Sequence, residues 1–506
     1  MKFKLNISLR VIFYFFLLVL IGNHLLIFLT VNINCLDDDQ VIMWLGASDY
    51  AKGIFHEPRY YGQAYNTFME ALVAVPFIWS GMAIYYAVPL ATHLIFLTPF
   101  LFAAFYLFKH KHEDKAILVL ALLLCMPTGY DIMTSIPRGF ITGTFFTLFF
   151  IINLKNPKNY KFICINTLLS IIGLLVNPNS ILVSVPFLFY LFLNNIKEIK
   201  YYKAIGLGVL LAIPFELLLN QFYRSHPEYI VYTMDNQIGL NYFTKAIMHL
   251  NDHFGHIGPF VEGSALGTLI IFLLIGIYFF RTNKKWFVAF GLFVSIIFVC
   301  FFFQKISHGG PWPFFSLSRM FIAIPVFYVC CIVLIDFSFQ RFKHVIFVVV
   351  LGFYALKAMT FNDRLKEYSK DENFLDVSLF KLDDALTMSK DFKEVCLKYK
   401  TNSILIIGWT WRDNIINYAG QVLYKNYPKT FKPHFERRRW ITEAEINSVN
   451  PSFLIYTRYN NLDTLCQTRY TDVNIRRVSW GIFYVYNNKK TTLNFLRYIK
   501  AETLGF

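Results

Sequence analysis

Three consecutive carboxylates, Asp37-Asp38-Asp39, follow directly on the first apolar run of the chain. Adjacent carboxylates repel, so a cation, a proton, a ligand or a helix N-terminus has to relieve them. An Asp ahead of residues 40–53 would cap a helix by accepting backbone N–H bonds, which accounts for one of the three. One of Asp37, Asp38 and Asp39 is therefore a candidate general base. A divalent cation at Asp37 and Asp39 stays open, with no metal assigned. Residues 40–53 combine Val41, Ile42, Met43, Trp44 and Leu45 with Ser48, Asp49 and Lys52, and read as a short amphipathic helix lying in a membrane interface.

The next stretch, His56-Glu57-Pro58-Arg59-Tyr60-Tyr61-Gly62-Gln63-Ala64-Tyr65, is dense in polar and aromatic groups. Aromatic faces stack on sugar rings, and guanidinium forks match phosphate oxygens. Trp44, Arg59, Tyr60, Tyr61 and Gln63 are the candidate substrate-binding residues here. Thr67-x-x-Glu70 opens an apolar run with the form of a capping box; that explains Glu70 structurally, beside its place among the binding candidates. In the short loop 129–139, Asp131 and Arg138 sit at membrane depth, where ionisable groups are costly and functional. Asp131 joins the catalytic candidates; an Asp131–Arg138 ion pair closing the hairpin is the alternative. His308 and Arg319, also substrate-binding candidates, belong with Lys305 to a later loop, 304–319. His249, His253 and His256 share one face if helical, but solvated or stacked histidines are the preferred reading over a metal site.

These residues need a scaffold, and composition defines its class. The chain has 506 residues, 56% apolar, 19% aromatic and 16% charged, against about 25% charged in soluble domains. Apolar runs long enough to cross a bilayer recur through the first 360 positions. This excludes a soluble enzyme, a coiled coil, a disordered chain and an outer-membrane barrel. About 11 spans are expected, near 11–33, 87–108, 116–134, 139–154, 162–176, 180–195, 204–223, 264–280, 286–303, 319–335 and 345–360. Alternate connections are basic, among them Lys109, Lys111 and Lys115; Lys197, Lys200 and Lys203; and Arg281, Lys284 and Lys285. The positive-inside rule then places the N-terminus in the cytoplasm and accounts for much of the +16 charge without nucleic acid. The longer loops, 34–86 and 224–263, fall outside, so function is expected there.

Residues 361–506 form a second, polar zone expected outside the membrane. Ser403–Trp409, Ser452–Thr457 and Arg477–Tyr486 read as strands, and Asp383–Tyr399 and Asp413–Tyr424 as helices, a small α/β domain. Arg437-Arg438-Arg439 reads as a solvated basic face. Cys396 and Cys466 share this zone and could pair there.

Together these features resemble the GT-C superfamily of membrane glycosyltransferases, which includes lipid A aminoarabinose transferases and protein O-mannosyltransferases. The resemblance covers residues 1–360. It rests on the acidic pair after the first span (Asp37-Asp38 or Asp38-Asp39), on Tyr61-Gly62-Gln63-Ala64-Tyr65 followed by Glu70-Ala71, and on Asp131 in the second outside loop. The triple Asp and the missing Pro-Pro-Leu after the first loop are departures. The resemblance implies a multi-pass protein of the cytoplasmic membrane that moves a sugar, with inversion, from a polyprenyl-phosphate donor to an extracytoplasmic lipid, glycan or protein acceptor. Arg59, Arg138 and Arg319 would hold the donor phosphate, and Asp131 would orient the base or acceptor. The alternatives are an O-antigen polymerase or ligase, relying on outside Arg and His, and a flippase or transporter.

Overall fold

The computed structural model describes residues 8–63, 65–229, 237–370, 381–407, 418–431, 448–457, 461–469 and 472–499. The chain divides into two compact units. One gathers Met1–Asn32, Tyr65–Phe222 and Thr233–Asn373; the other gathers Ile33–Ala64, Tyr223–Tyr232 and Phe374–Phe506. The first six helices of the chain are Leu9–Thr30 (α1), Asp38–Ala51 (α2), Met69–Trp79 (α3), Ile84–Lys109 (α4), Glu113–Leu124 (α5) and Thr128–Ser135 (α6).

The first unit is helical. Among the described residues five helical segments are long and apolar enough to cross a membrane: α1, α4, Ile199–Ser225, Leu317–Leu334 and Gln340–Glu367. The pair α5 and α6 makes a sixth if taken as one broken span, bent by 87°. Pro127 stands at the bend as the N-cap of α6, with no N–H to continue the ladder of α5. Every residue of α6 is buried. Shorter apolar helices at Tyr160–Val176 and Leu266–Thr282 occupy two further expected runs. The expected span 139–154 is instead broken into Thr142–Phe145 and Phe150–Lys155. Aromatic rings knit this unit together, as in the stacked pairs Phe150–Phe187 at 3.8 Å and Phe293–Phe327 at 4.0 Å between centroids. The Thr67–Glu70 capping box does not form: α3 has Phe68 as its N-cap, with no side-chain cap bond.

Among the described residues, the second unit holds α2 and a five-stranded sheet. Its strands are Ser403–Ile407 (β1), Lys429–Phe431 (β2), Phe453–Thr457 (β3), Asn474–Ser479 (β4) and Ile482–Tyr486 (β5), in the order β2-β1-β3-β5-β4. β1 runs parallel to β2 and β3, while β5 is antiparallel to β3 and β4. The expected strand 477–486 is thus a hairpin. It turns at Trp480-Gly481, where Gly481 has φ +71° and a Cβ would lie 2.8 Å from the Thr457 carbonyl oxygen. The helix expected at 383–399 runs Leu382–Tyr399. Residues 418–423 are helical, whereas 413–417, Trp409 and Arg437-Arg438-Arg439 lie outside the described residues. Cys396 and Cys466 are free and buried in separate apolar clusters, with Ile404 and Ile406 in one and Leu405 and Ile407 in the other. Alternate strand residues face opposite sides of the sheet, so the two thiols, which could have paired by sequence, are held apart.

Candidate functional site

The sequence-derived candidates fall in both units. The first unit holds Glu70, Asp131, Arg138, His308 and Arg319. The second holds Asp37, Asp38, Asp39, Trp44, Arg59, Tyr60, Tyr61 and Gln63.

In the first unit, Arg138 and Arg319 come together on two aromatic rings. The Arg138 guanidinium carbon lies 5.9 Å from the centroids of both Phe140 and Phe315; that of Arg319 lies 5.8 Å from Phe140 and 4.0 Å from Phe315. Both arginines are buried. Arg138 donates to the Phe314 carbonyl. Arg319 donates to the carbonyls of Ser316 at 2.7 Å and His308 at 2.6 Å. His308 therefore takes part through its backbone, while its ring meets Phe315 edge-on at 5.3 Å. A third cation, Lys305, rests 3.5 Å from the centroid of Tyr65. Burial, and then the charge of Arg319, push the Lys305 ammonium down to about 8. The same two causes, in the same order, push the Arg138 guanidinium below its ordinary range. Arg319 thus repels both other cations, and positive charge gathered in this way attracts an anion.

Backbone geometry holds this centre. Gly309 has φ +144°, and a Cβ there would come within 2.5 Å of Arg319 Nη1 and 2.9 Å of the Phe315 carbonyl oxygen. Gly139, after Arg138, has φ +74°.

Asp131 is not paired with Arg138. Its carboxylate forms an ion pair with Lys357 and accepts from Asn23 Nδ2 at 2.9 Å. Lys357 also donates to the Met126 carbonyl at 2.9 Å. Glu70 is fully buried, beside Gly139 and Thr92. Gly129, near the start of α6, donates to Glu262 Oε1 at 2.8 Å. The three histidines go separate ways. His249 pairs with Asp252 at 2.9 Å, His253 packs on Phe301 and Phe321, and His256 meets the Pro311 carbonyl at 2.6 Å.

In the second unit, Asp37 caps α2 by accepting from the Gln40 N–H at 2.9 Å. The Tyr60 hydroxyl donates to the Asp39 carbonyl oxygen. Of Asp38 only the backbone, in the first turn of α2, is described. Residues 40–49 of α2 are all buried, so this helix is enclosed on every side rather than laid amphipathically in an interface. Trp44, Tyr60 and Tyr61 are likewise buried. The Tyr61 hydroxyl donates to Asp49 Oδ2 at 2.8 Å, and His56 Nε2 stands 3.6 Å from the same oxygen. Burial raises the Asp49 carboxyl and lowers the His56 imidazole, and each partner opposes the other's shift. Arg59 is half-buried; its backbone N–H donates to the Tyr223 hydroxyl at 3.3 Å, and burial lowers its guanidinium. Gln63 donates through its backbone to the Tyr60 carbonyl at 2.8 Å. Glu57 is fully buried and accepts from Gly62 N at 2.8 Å and Tyr223 Oη at 2.9 Å. Among the described residues no group of three His, Cys, Asp or Glu side chains could hold a metal ion.

No protein-family model matches this chain, and neither does any curated protein. Solved structures do match. ArnT from Cupriavidus metallidurans bound to undecaprenyl phosphate aligns with a TM-score of 0.58 and 11% identity, over 93% of this chain and 98% of its own. The apo ArnT structure aligns at 0.56 and 11% identity, over 93% and 97%. The chain has the fold of these ArnT structures. At this identity the match speaks for the fold and leaves the chemistry to the residues.

Sequence reasoning missed Lys357, Asn177 and Asn179, and did not join Asp49 and His56 to Tyr61. Lys357 carried a legible signal, a lone cation inside the expected span 345–360. The two asparagines carried none, because polar residues between spans are ordinary.

Proposed function

We propose that this protein is an inverting glycosyltransferase of the GT-C type. It takes a sugar from a polyprenyl-phosphate donor and passes it to a lipid, glycan or protein hydroxyl on the outer side of the cytoplasmic membrane. The observation that carries the reading is the meeting of Arg138 and Arg319 on Phe140 and Phe315, with the depressed Lys305 beside them. Such a centre suits the donor's phosphodiester, which gains a second negative charge as the sugar leaves and becomes a monoester. The acceptor oxygen attacks the anomeric carbon and the bond from that carbon to the phosphate oxygen breaks. The acceptor's proton passes to one of the first-loop carboxylates, Asp37, Asp38 or Asp39. Asp37 already receives the Gln40 N–H, which makes it the weaker base, so Asp38 and Asp39 are the favoured pair.

The test uses the purified full-length protein in lipid, a mixed pool of polyprenyl-phosphate sugars and a crude envelope acceptor fraction, with donor consumption followed by mass spectrometry. Wild type should consume one donor, while Arg319→Met and Asp38→Asn/Asp39→Asn should not. Equal consumption by the arginine variant would overturn the phosphate assignment, and equal consumption by the aspartate variant the base assignment. Consumption of diphosphate-linked oligosaccharides instead would turn the reading to a polymerase.

A further inference from the structure

The two arginines of the anion centre lie on different segments, and one short turn touches both. Asn177 is buried. Its Nδ2 donates to the carbonyl oxygens of Gly139 at 2.6 Å and Phe140 at 3.3 Å, and to Asn66 Oδ1 at 3.0 Å. Asn66, itself at φ +62°, donates from Nδ2 to the Arg138 carbonyl at 3.4 Å. Asn177 Oδ1 accepts the Asn179 N–H at 2.8 Å, and Asn179 Nδ2 donates to the Arg319 carbonyl at 3.0 Å. Pro178, between them, fixes its own φ and stiffens the turn. The chain Arg138–Asn66–Asn177–Asn179–Arg319 thus links the backbones of both guanidinium-bearing residues through side-chain amides.

We infer that the Asn177-Pro178-Asn179 turn is the positioning device of the anion centre: it sets the spacing of Arg138 and Arg319 so that both reach one phosphate. Two guanidiniums drawn to the same rings repel each other, and without a tie their segments would relax apart. Asn177 and Asn179 touch no substrate; they act through the arginines. This inference rests on the reading of those arginines as phosphate ligands.

The test measures binding of undecaprenyl phosphate, and separately of inorganic phosphate, to the full-length protein in detergent. Arg138→Met and Arg319→Met test the underlying reading, and Asn179→Ala and Asn177→Ala test the turn. Loss of one such bond is expected to weaken undecaprenyl phosphate binding about five-fold for Asn179→Ala, and more for Asn177→Ala. Asn179→Ala added to Arg319→Met should cost nothing further, because its effect passes through Arg319. Asn166→Ala removes a similar buried amide, bonded to the Phe149 carbonyl and Asn153, and should bind as wild type. If the arginine variants lose binding while both asparagine variants keep it, or if Asn179→Ala weakens binding equally in both backgrounds, the inference falls and the reading stands. If the arginine variants bind as wild type, the reading falls and the inference with it. Should Asn177→Ala not fold, the half-buried Asn179 decides alone. A loss seen with both ligands places the effect at the phosphate; a loss with the lipid alone places it elsewhere and overturns the inference.

Discussion

Asp131 offers the sharpest prediction, because it was a catalytic candidate by sequence and has a buried cationic partner in the fold. The side chains of Asp131 and Lys357 are only 4% and 11% exposed, and Asn23 and the Met126 carbonyl complete their bonding. Neutralising one partner strands the other charge at membrane depth. Breaking a buried pair in this way costs about 3–5 kcal/mol, in line with about 2.5–3.5 kcal/mol for a lone charge at the centre of a membrane helix. Asp131→Asn and Lys357→Met should each destabilise the protein by that order. Asp131→Asn/Lys357→Met should recover to within about 1 kcal/mol of wild type, because replacing both members of a buried pair is close to neutral. The assay is reversible unfolding of the full-length protein in mixed detergent, run as a double-mutant cycle, with donor turnover measured on the same samples. A double variant as unstable as either single one would refute the coupling. A stable double variant with wild-type turnover would show Asp131 to be a structural anchor of α6; a stable but inactive one would return it to the catalytic group.

Three other outcomes follow from the geometry. Gly309→Ala places a Cβ against Arg319 Nη1 and the Phe315 carbonyl at a φ of +144°; backbone strain of about 1–3 kcal/mol and a displaced guanidinium should weaken donor binding at least ten-fold, measured as donor KM, and an unchanged KM would refute the close approach. Lys305, depressed to about 8, is charged below that pH and neutral above it, so donor KM should rise as pH climbs through about 8. Lys305→Arg should flatten that limb, since a guanidinium keeps its proton throughout; a limb that survives the substitution belongs to another group. Glu57→Ala removes the acceptor of both the Gly62 N–H and the Tyr223 hydroxyl and should cost about 3 kcal/mol in thermal unfolding. Glu57→Gln, which keeps an acceptor, should cost visibly less, and equal losses would contradict the bonding described.

Much was written in the sequence because it depends on composition and local period. Hydropathy dictates a membrane protein: water-free surroundings force backbone groups into helices, and apolar length counts the residues needed to cross. Local chemistry also fixed the Asp37 cap, since an Asp side chain reaches a backbone N–H three residues on whatever the rest of the chain does. Other local signals were present but misread. Gly481 marks a turn inside what looked like one strand, and the Thr67–Glu70 pattern met a helix that begins at Met69. What period cannot supply is a partner. Arg138 and Arg319 were separate candidates, yet only tertiary packing sets them on the same two rings, and only packing turns Asp131 towards Lys357 rather than Arg138. The sequence by itself determined the solvent, the class of scaffold and the residue types available for holding phosphate and moving a proton. The tertiary structure alone decided which charges meet, because pairing between distant segments depends on how whole helices pack and not on the spacing of residues within any one of them.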